Sequence, residues 1–386
     1  MEVETQVEDK QIVSLNPEVE IVGKVIILGT VESSILEDKF RLKRTSHPRI
    51  NFLERLPEFM VKSAEEIWLD ALDSRENGDF DDAMRMAKEV VEIDEENTEA
   101  WMAVAMWSLP PPTKGKPVQP SLQQSAKSMT ALKKVVQYEP ENLEAWKIGG
   151  RILLDHLGML EDALQWWEDC RVQFPKNVTP IIEQIAILVR LGLYDECAER
   201  LVELHDEGMD ETTRQQAMRM QGVKEMVDRA AKMEREEIFR PQDPNHPRWE
   251  IIEKMRKVKP LSSTFWLVAF IAPVVFIFGS FAMTFLGGTM FGMILVFLLI
   301  LAAFGILTRL SMGLLQSRNR HALDVDRAID YETSSGKLCI PESIRGSVVY
   351  NSMLKNRTSA VTERLEIIID SGEKINSRYQ PNLPDW

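Results

Sequence analysis

The feature that most constrains this chain is a stretch without a charged side chain, running from Pro260 to Thr308. The rest of the chain is densely charged, since 27% of all residues are Asp, Glu, Lys or Arg. As one straight helix these 49 residues would extend about 73 Å, whereas the hydrocarbon core of a bilayer is about 30 Å thick. The stretch is therefore too long for one crossing and long enough for two.

The middle of the uncharged stretch contains a natural position for a reversal of the chain. Gly287 and Gly288 are adjacent there, and paired glycines favour tight turns. The remainder gives two membrane spans, at about 265–286 and 290–310. Both are expected to be helical, because a bilayer offers backbone groups no outside hydrogen-bond partner. We expect Pro273 to kink the first span.

Basic residues flank the uncharged stretch on both sides and are absent from the turn between the two spans. They are Lys254, Arg256, Lys257, Lys259, Arg309, Arg318 and Arg320. Positive residues favour the cytoplasmic side, so we expect an integral membrane protein with two spans and with both termini in the cytoplasm. The uncharged stretch itself contains no ionisable residue, which favours an anchor over a transporter.

Two matching pentapeptides upstream indicate an internal repeat. Residues 97–101 read Asn-Thr-Glu-Ala-Trp and residues 142–146 read Asn-Leu-Glu-Ala-Trp, an offset of 45 residues. Between them, residues 110–120 contain five prolines in 11 positions, a composition that excludes a helix. Without those 11 residues the offset becomes 34, the length of one repeat unit.

A period of 34 with a tryptophan near the start of each unit resembles the tetratricopeptide repeat family. The resemblance covers about 64–205 and implies stacked pairs of helices, since one pair cannot bury its apolar faces alone. Small residues at two positions of each unit would let the paired helices approach closely. The residues that match the family's packing pattern are Ala71, Ala83, Trp101, Ala105, Pro140, Trp146, Gly150, Ala163 and Pro175.

The same resemblance implies a concave groove lined by the first helix of each pair. Methionine and tryptophan offer adaptable apolar contact, and basic side chains bind carboxylates, so we expect a protein or peptide partner. The earlier positions differ from the basic clamp of chaperone-binding members, so a chaperone tail is not predicted. An alternative is that a neighbouring segment of the chain fills the groove. The groove residues are Trp68, Leu72, Met102, Met106, Lys147 and Arg151.

The expected fold is all-α: a tetratricopeptide-like helical solenoid, a two-helix transmembrane hairpin and a small N-terminal arm containing β structure. Short strands are expected at 19–31, and an amphipathic helix beside the first span is expected to lie at the membrane interface. Five segments follow: an arm at 1–60, the repeats with a capping helix at 61–240, a juxtamembrane linker at 241–260, the hairpin in the lipid bilayer at 261–312, and a cytoplasmic helical tail at 313–386.

The charge of the chain limits its function further. The net charge is −14, and residues 51–100 contain 16 acidic against 5 basic residues, so no nucleic-acid partner is expected. The three cysteines are too scattered for a disulfide framework, and the five histidines have no metal-ligand spacing. Residues 334–337 resemble a phosphate loop but lack its first glycine. We therefore predict no enzyme, no cofactor and no metal.

Two functions from different classes remain open. The first is an adaptor that recruits a partner to the cytoplasmic face through its repeats. The second is a structural membrane component whose hairpin oligomerises or shapes the bilayer, or a regulatory subunit of a translocation or transport complex. A homo-oligomer is compatible with either. Exchanging the hairpin for an unrelated one would preserve the first function and abolish the bilayer-shaping one.

Overall fold

Regular structure in the described part of the chain is helical, which confirms the all-α class there; an isolated bridge joins Leu338 to Lys374. The predicted arm at 1–60, with its strands, lies outside the described residues. The computed structural model describes residues 62–113, 118–206, 208–234 and 237–386.

The first eight helices of the described residues form four consecutive pairs, because each helix packs against the next one in the chain. We call α1, α3, α5 and α7 the first helices and α2, α4, α6 and α8 the second helices. Their bounds are Ala64–Glu76 (α1), Phe80–Ile93 (α2), Thr98–Trp107 (α3), Leu122–Tyr138 (α4), Leu143–Arg151 (α5), Leu160–Gln173 (α6), Val178–Leu191 (α7) and Tyr194–Glu203 (α8).

The same cap opens three of the first helices. The side chains of Asn97, Asn142 and Asn177 each accept a hydrogen bond from a backbone N–H two or three residues later, at 2.9–3.1 Å. Trp101 and Trp146 each donate their indole N–H to the carbonyl oxygen six residues earlier, at 2.8 Å. The matching pentapeptides thus form matching helix starts. In each, the hydrogen bond of the tryptophan holds the segment before the helix in place.

The turns inside the pairs also share one conformation. Gly78, Gly158 and Gly192 each stand two residues before a second helix, with φ of 84°, 65° and 78°, a region that side chains other than glycine's rarely adopt. The third unit carries one extra residue near Gly158, and α5 continues there as a π-helical turn, Ile152–Leu157. A wider turn accommodates an inserted residue without breaking the helix.

In the third pair, the backbone of α5 lies directly against two tryptophans of α6. A Cβ atom added to Gly150 would lie within 2.9 Å of three atoms of the Trp167 indole, and Gly149 faces the Trp166 ring in the same way. Trp166 donates its indole N–H to the Trp146 carbonyl at 2.8 Å. Glycine is therefore required on α5 so that the two indoles of α6 can lie against its backbone.

Five more helices outside the hairpin follow the pairs. α9 packs on α7 and α8, and α10, α14, α15 and α16 share a second core. In that core Ile252, Val325, Ile329, Ile344 and Val349 are almost fully buried. Their bounds are Arg214–Ala230 (α9), Pro247–Met255 (α10), Arg320–Ser335 (α14), Val348–Leu354 (α15) and Ser359–Ser371 (α16).

The apolar side of α10, the amphipathic helix that we expect at the membrane interface, is covered by other helices of the chain. Trp249 and Ile252 are buried against α14 and its neighbours, and Trp249 packs edge-on against Phe239 at 4.9 Å between ring centroids. The hydrophobic pattern correctly indicated a hidden face, but protein covers that face rather than lipid.

The uncharged stretch forms a helical hairpin. A short helix, Ser263–Trp266 (α11), continues through a π-helical turn, Leu267–Ile271, into Ala272–Leu286 (α12). Gly287 and Gly288 lie in the turn before Met290–Arg318 (α13), which packs along α12. Pro273 stands at the start of α12, so the π-helical turn falls where its missing N–H would interrupt the ladder.

Both hairpin helices are long and apolar enough to cross a membrane, by length and composition. Most of their side chains are exposed, among them Phe276 at 75% and Phe291 at 77%, whereas the core helix of a soluble protein would bury them. α13 extends to Arg318, eight residues past the predicted end of the second span and into the segment predicted as tail. The Asn319 side chain then makes two hydrogen bonds to the Leu261 backbone, at 2.8 and 3.0 Å, and so joins the two ends of the hairpin.

Candidate binding surface

The predicted groove residues lie on three successive first helices. Leu72 and Met106 remain 38% and 44% exposed although both are apolar. Arg151 is exposed, while the other three are half-buried. The structure thus places two of these residues on each of α1, α3 and α5: Trp68 and Leu72, Met102 and Met106, and Lys147 and Arg151.

An aromatic cluster that the sequence did not reveal links the first two pairs. Trp68 of α1 stacks on Trp107 of α3, with ring centroids 6.1 Å apart and planes 19° apart. The Arg75 guanidinium lies over both Phe80 and Trp107, at 4.3 and 5.2 Å from the ring centroids. Phe80 is 51% exposed. This cluster presents flat apolar surface and one positive charge, a combination typical of protein interfaces.

The residues predicted to define the packing of the repeats fall into two groups. Those with small or tryptophan side chains are mostly buried, whereas the two prolines are not. Pro140 is half-buried and Pro175 is exposed, each close to the start of the next first helix. Trp101 is half-buried. The buried members are Ala71, Ala83, Ala105, Trp146, Gly150 and Ala163.

The helices after the hairpin dock on the helix pairs through buried polar contacts. The Arg190 guanidinium of α7 donates two hydrogen bonds to the Asp330 carboxylate of α14, at 2.7 and 3.0 Å. Arg357 reaches the same carboxylate at 2.7 Å. Asp330 has only 3% of its side chain exposed, so both arginines contact a carboxylate that is almost completely shielded from water. Such a pair fixes geometry, because removal of one partner leaves an uncompensated buried charge.

Two intra-pair turns take part in this docking. At Gly192 an added Cβ would lie 2.9 Å from the Arg327 guanidinium, which donates a hydrogen bond to the Arg190 carbonyl at 3.2 Å. At Gly158 it would lie 3.0 Å from the Thr333 hydroxyl. The glycines thus serve both the turn and the close approach of α14.

A segment after α16 runs across the second helices. The Tyr379 hydroxyl donates to the Glu161 carboxylate, and the Asn382 backbone N–H donates to its other oxygen at 2.8 Å. Burial and the adjacent Glu161 carboxylate raise the pKa of Tyr379. Trp386 lies over the Arg200 guanidinium at 4.1 Å. The segment therefore covers part of the second-helix side and makes these contacts away from the six predicted groove residues.

The cysteines occupy positions of low chemical reactivity. Burial raises the pKa of Cys170 and of Cys197 to about 12, and raises that of Cys339 well above its usual value. A thiolate is the reactive form, so all three are expected to react slowly with alkylating reagents at neutral pH. Across the described ranges, no group of three His, Cys, Asp or Glu side chains is placed to hold a metal ion.

The chain was compared with known proteins. No protein-family model matches it, and no curated protein is detectably similar in sequence. The resemblance to tetratricopeptide repeats therefore stays a prediction that rests on the residues themselves.

Proposed function

We propose that this protein is a membrane-anchored adaptor in which tetratricopeptide-like repeats recruit a protein or peptide partner at the cytoplasmic face. The observation that carries the proposal is the combination of a repeated helix-pair unit with an exposed apolar hairpin in one chain. Repeats of this kind give extended surfaces for other proteins, and the hairpin holds that surface at a membrane.

The recurrence of local geometry supports a true repeat. The asparagine caps, the tryptophan hydrogen bonds and the left-handed glycines recur at a period of 34 once the 11 residues at 110–120 and the extra residue near Gly158 are subtracted. A chance succession of helices would not be expected to reproduce all three features. A solenoid of four such pairs, closed by α9, accounts for the order of contacts along the chain.

The first helices supply the surface. Leu72 and Met106 keep apolar area in contact with water, and the Trp68–Trp107 stack lies beside them with Arg75. On α5, the first helix of the third pair, Lys147 and Arg151 supply positive charge. A partner segment with apolar anchors followed by a carboxylate fits this order, because aromatic and methionine side chains provide hot spots and basic ones fix the end of the ligand.

The hairpin supplies the location. Its uncharged turn and its basic flanks favour cytoplasmic ends. The Asn319–Leu261 hydrogen bonds hold the two ends side by side, which supports their emergence on the same side of the bilayer. Labelling of a cysteine introduced at exposed Lys127 should therefore require permeabilised cells, and labelling in intact cells would refute the orientation.

The groove is tested by charge reversal with a matched control. The full chain is purified from gently solubilised membranes as wild type, as Lys147→Glu/Arg151→Glu, and as Lys127→Glu/Lys133→Glu on α4. Both double variants change the net charge equally, but the second lies on a second helix. We expect partners bound by wild type to be retained by the control and lost by the groove variant. Equal retention by all three would refute the groove.

A further inference from the structure

The helix that closes the pairs, α9, has one face buried and the opposite face basic. Its inward residues are Met220, Val223, Val227 and Ala230. At 100° per residue, Arg214, Met218, Glu225 and Arg229 fall on the opposite side, and all four are exposed, Met218 by 70%. An exposed methionine between two arginines is unusual on a face that meets only water.

This outward face lies beside the hairpin. The Arg309 guanidinium of α13 pairs with the Glu225 carboxylate of α9 at 3.6 Å. Arg309 follows Met290 by 19 residues, a helical rise of about 29 Å, which matches the roughly 30 Å of a hydrocarbon core. With the Gly287–Gly288 turn at one surface of the bilayer, Arg309 reaches the other, and Glu225 is held at the level of the lipid headgroups.

The net charge of α9 is opposite in sign to that of the whole chain. Residues 214–232 contain five Lys or Arg and two Asp or Glu, in a chain whose net charge is −14. One of those two acids, Glu225, is already paired with Arg309. Residues 254–259, just before the first span, add four basic residues and no acid. Positive charge is thus collected where the hairpin leaves the membrane, on two segments separated by 21 residues of the chain.

We propose that the outward face of α9 lies in the headgroup layer and binds anionic phospholipids, with Arg214 and Arg229 on the phosphates and Met218 among the upper acyl carbons. Basic amphipathic helices bind membranes in this orientation, through apolar burial and attraction to negative lipid. The inference rests on the hairpin spanning the bilayer and is independent of the partner groove. It adds a second membrane contact, which fixes how the repeats are tilted over the surface.

The experiment uses the full chain reconstituted in nanodiscs of phosphatidylcholine alone or mixed with phosphatidylglycerol. An environment-sensitive fluorophore is attached at Met218→Cys, and at Ile93→Cys as the control. Ile93 is 53% exposed and lies on α2, which packs on α1 and α3 at the other end of the pairs. The native thiols are expected to label slowly, because burial raises the pKa of each.

We expect the probe at position 218 to emit at shorter wavelength and several-fold more strongly in the anionic nanodiscs than in the neutral ones, and the probe at position 93 to be unchanged. Arg214→Glu/Arg229→Glu should remove most of that gain, whereas Lys127→Glu/Lys133→Glu should keep it. High salt should weaken it as well, because exposed charges are screened.

Three results would overturn the proposal. Identical emission from positions 218 and 93 in both nanodiscs would exclude membrane contact by α9. Equal gains with neutral and anionic lipid would exclude recognition of the headgroup charge. A chain that does not enter nanodiscs at all would refute the membrane anchor itself, and with it both this inference and the proposed function.

Discussion

Replacing Gly150 by alanine tests the close contact between α5 and α6. In a helix interior, alanine is favoured over glycine by about 0.5–1 kcal/mol. At Gly150, however, the new methyl group would lie within 2.9 Å of three atoms of the Trp167 indole, whose residue is 3% exposed. Overpacking of this kind costs about 1–3 kcal/mol. We therefore expect Gly150→Ala to destabilise the fold, by up to about 2.5 kcal/mol once the helix preference is subtracted.

Gly222 provides the matched control. It lies within α9, and an added Cβ would meet no atom within 4 Å. Gly222→Ala should stabilise the protein by about 0.5–1 kcal/mol, since only the helix preference acts there. The difference between the two substitutions then isolates the steric term.

The measurement is thermal unfolding of both variants, followed by far-UV circular dichroism in one detergent. At about 2–4 °C per kcal/mol, the two midpoints should differ by at least about 2 °C, with Gly150→Ala the lower. In a Trp167→Leu background, Gly150→Ala should cost less than it does in the wild-type protein, because the two positions share one contact. Equal rises in the midpoint for Gly150→Ala and Gly222→Ala would refute the close approach of α5 and α6.

Three further predictions concern the docked helices and the hairpin. Asp330→Ala should cost about 3–5 kcal/mol in the same assay, because two arginines lose a buried partner; a loss under about 1 kcal/mol would contradict the buried pair. Asn319→Ala removes both hydrogen bonds between the hairpin ends and should cost about 1–3 kcal/mol, seen as faster amide exchange at Leu261. Burial lowers the pKa of His246, whose Nδ1 caps α10 by accepting the Arg248 backbone N–H. Its contribution is therefore present above the unfolded pKa of about 6.5 and lost as pH falls through the lower folded value, and His246→Asn should flatten that dependence.

The parts of the fold that the sequence predicted are those with local causes. Helix starts depend on a cap and the few residues after it, so the pentapeptides at 97–101 and 142–146 were sufficient to place α3 and α5. The hairpin depends on length and hydrophobicity, which are also local, and two helices long and apolar enough to span are found where expected. The π-helical turn in α5 corresponds to the extra residue counted near Gly158.

The parts that the sequence did not predict depend on residues far apart in the chain. Arg190 and Asp330 are 140 positions apart, and Glu161 and Tyr379 are 218 apart. No sequence spacing predicts contacts between residues so far apart in the chain. The amphipathic pattern of α10 predicted a hidden face but not what hides it, since lipid and protein impose the same pattern on one helix. The aromatic cluster around Arg75 likewise forms only when the first two pairs come together.

The position of α14 helps to distinguish a hairpin that only anchors the protein from a hairpin that shapes the bilayer. α14 begins two residues after α13 ends, and it is bound on one side to Arg248, through Asp324, and on the other to Arg190. The hairpin therefore cannot tilt without moving the repeats or breaking a buried ion pair. If the hairpin is an anchor, an unrelated two-span hairpin that keeps Leu261 and Asn319 should preserve partner recruitment, because it preserves this linkage. If the hairpin shapes the bilayer, that exchange should abolish function although the repeats remain folded and attached to the membrane.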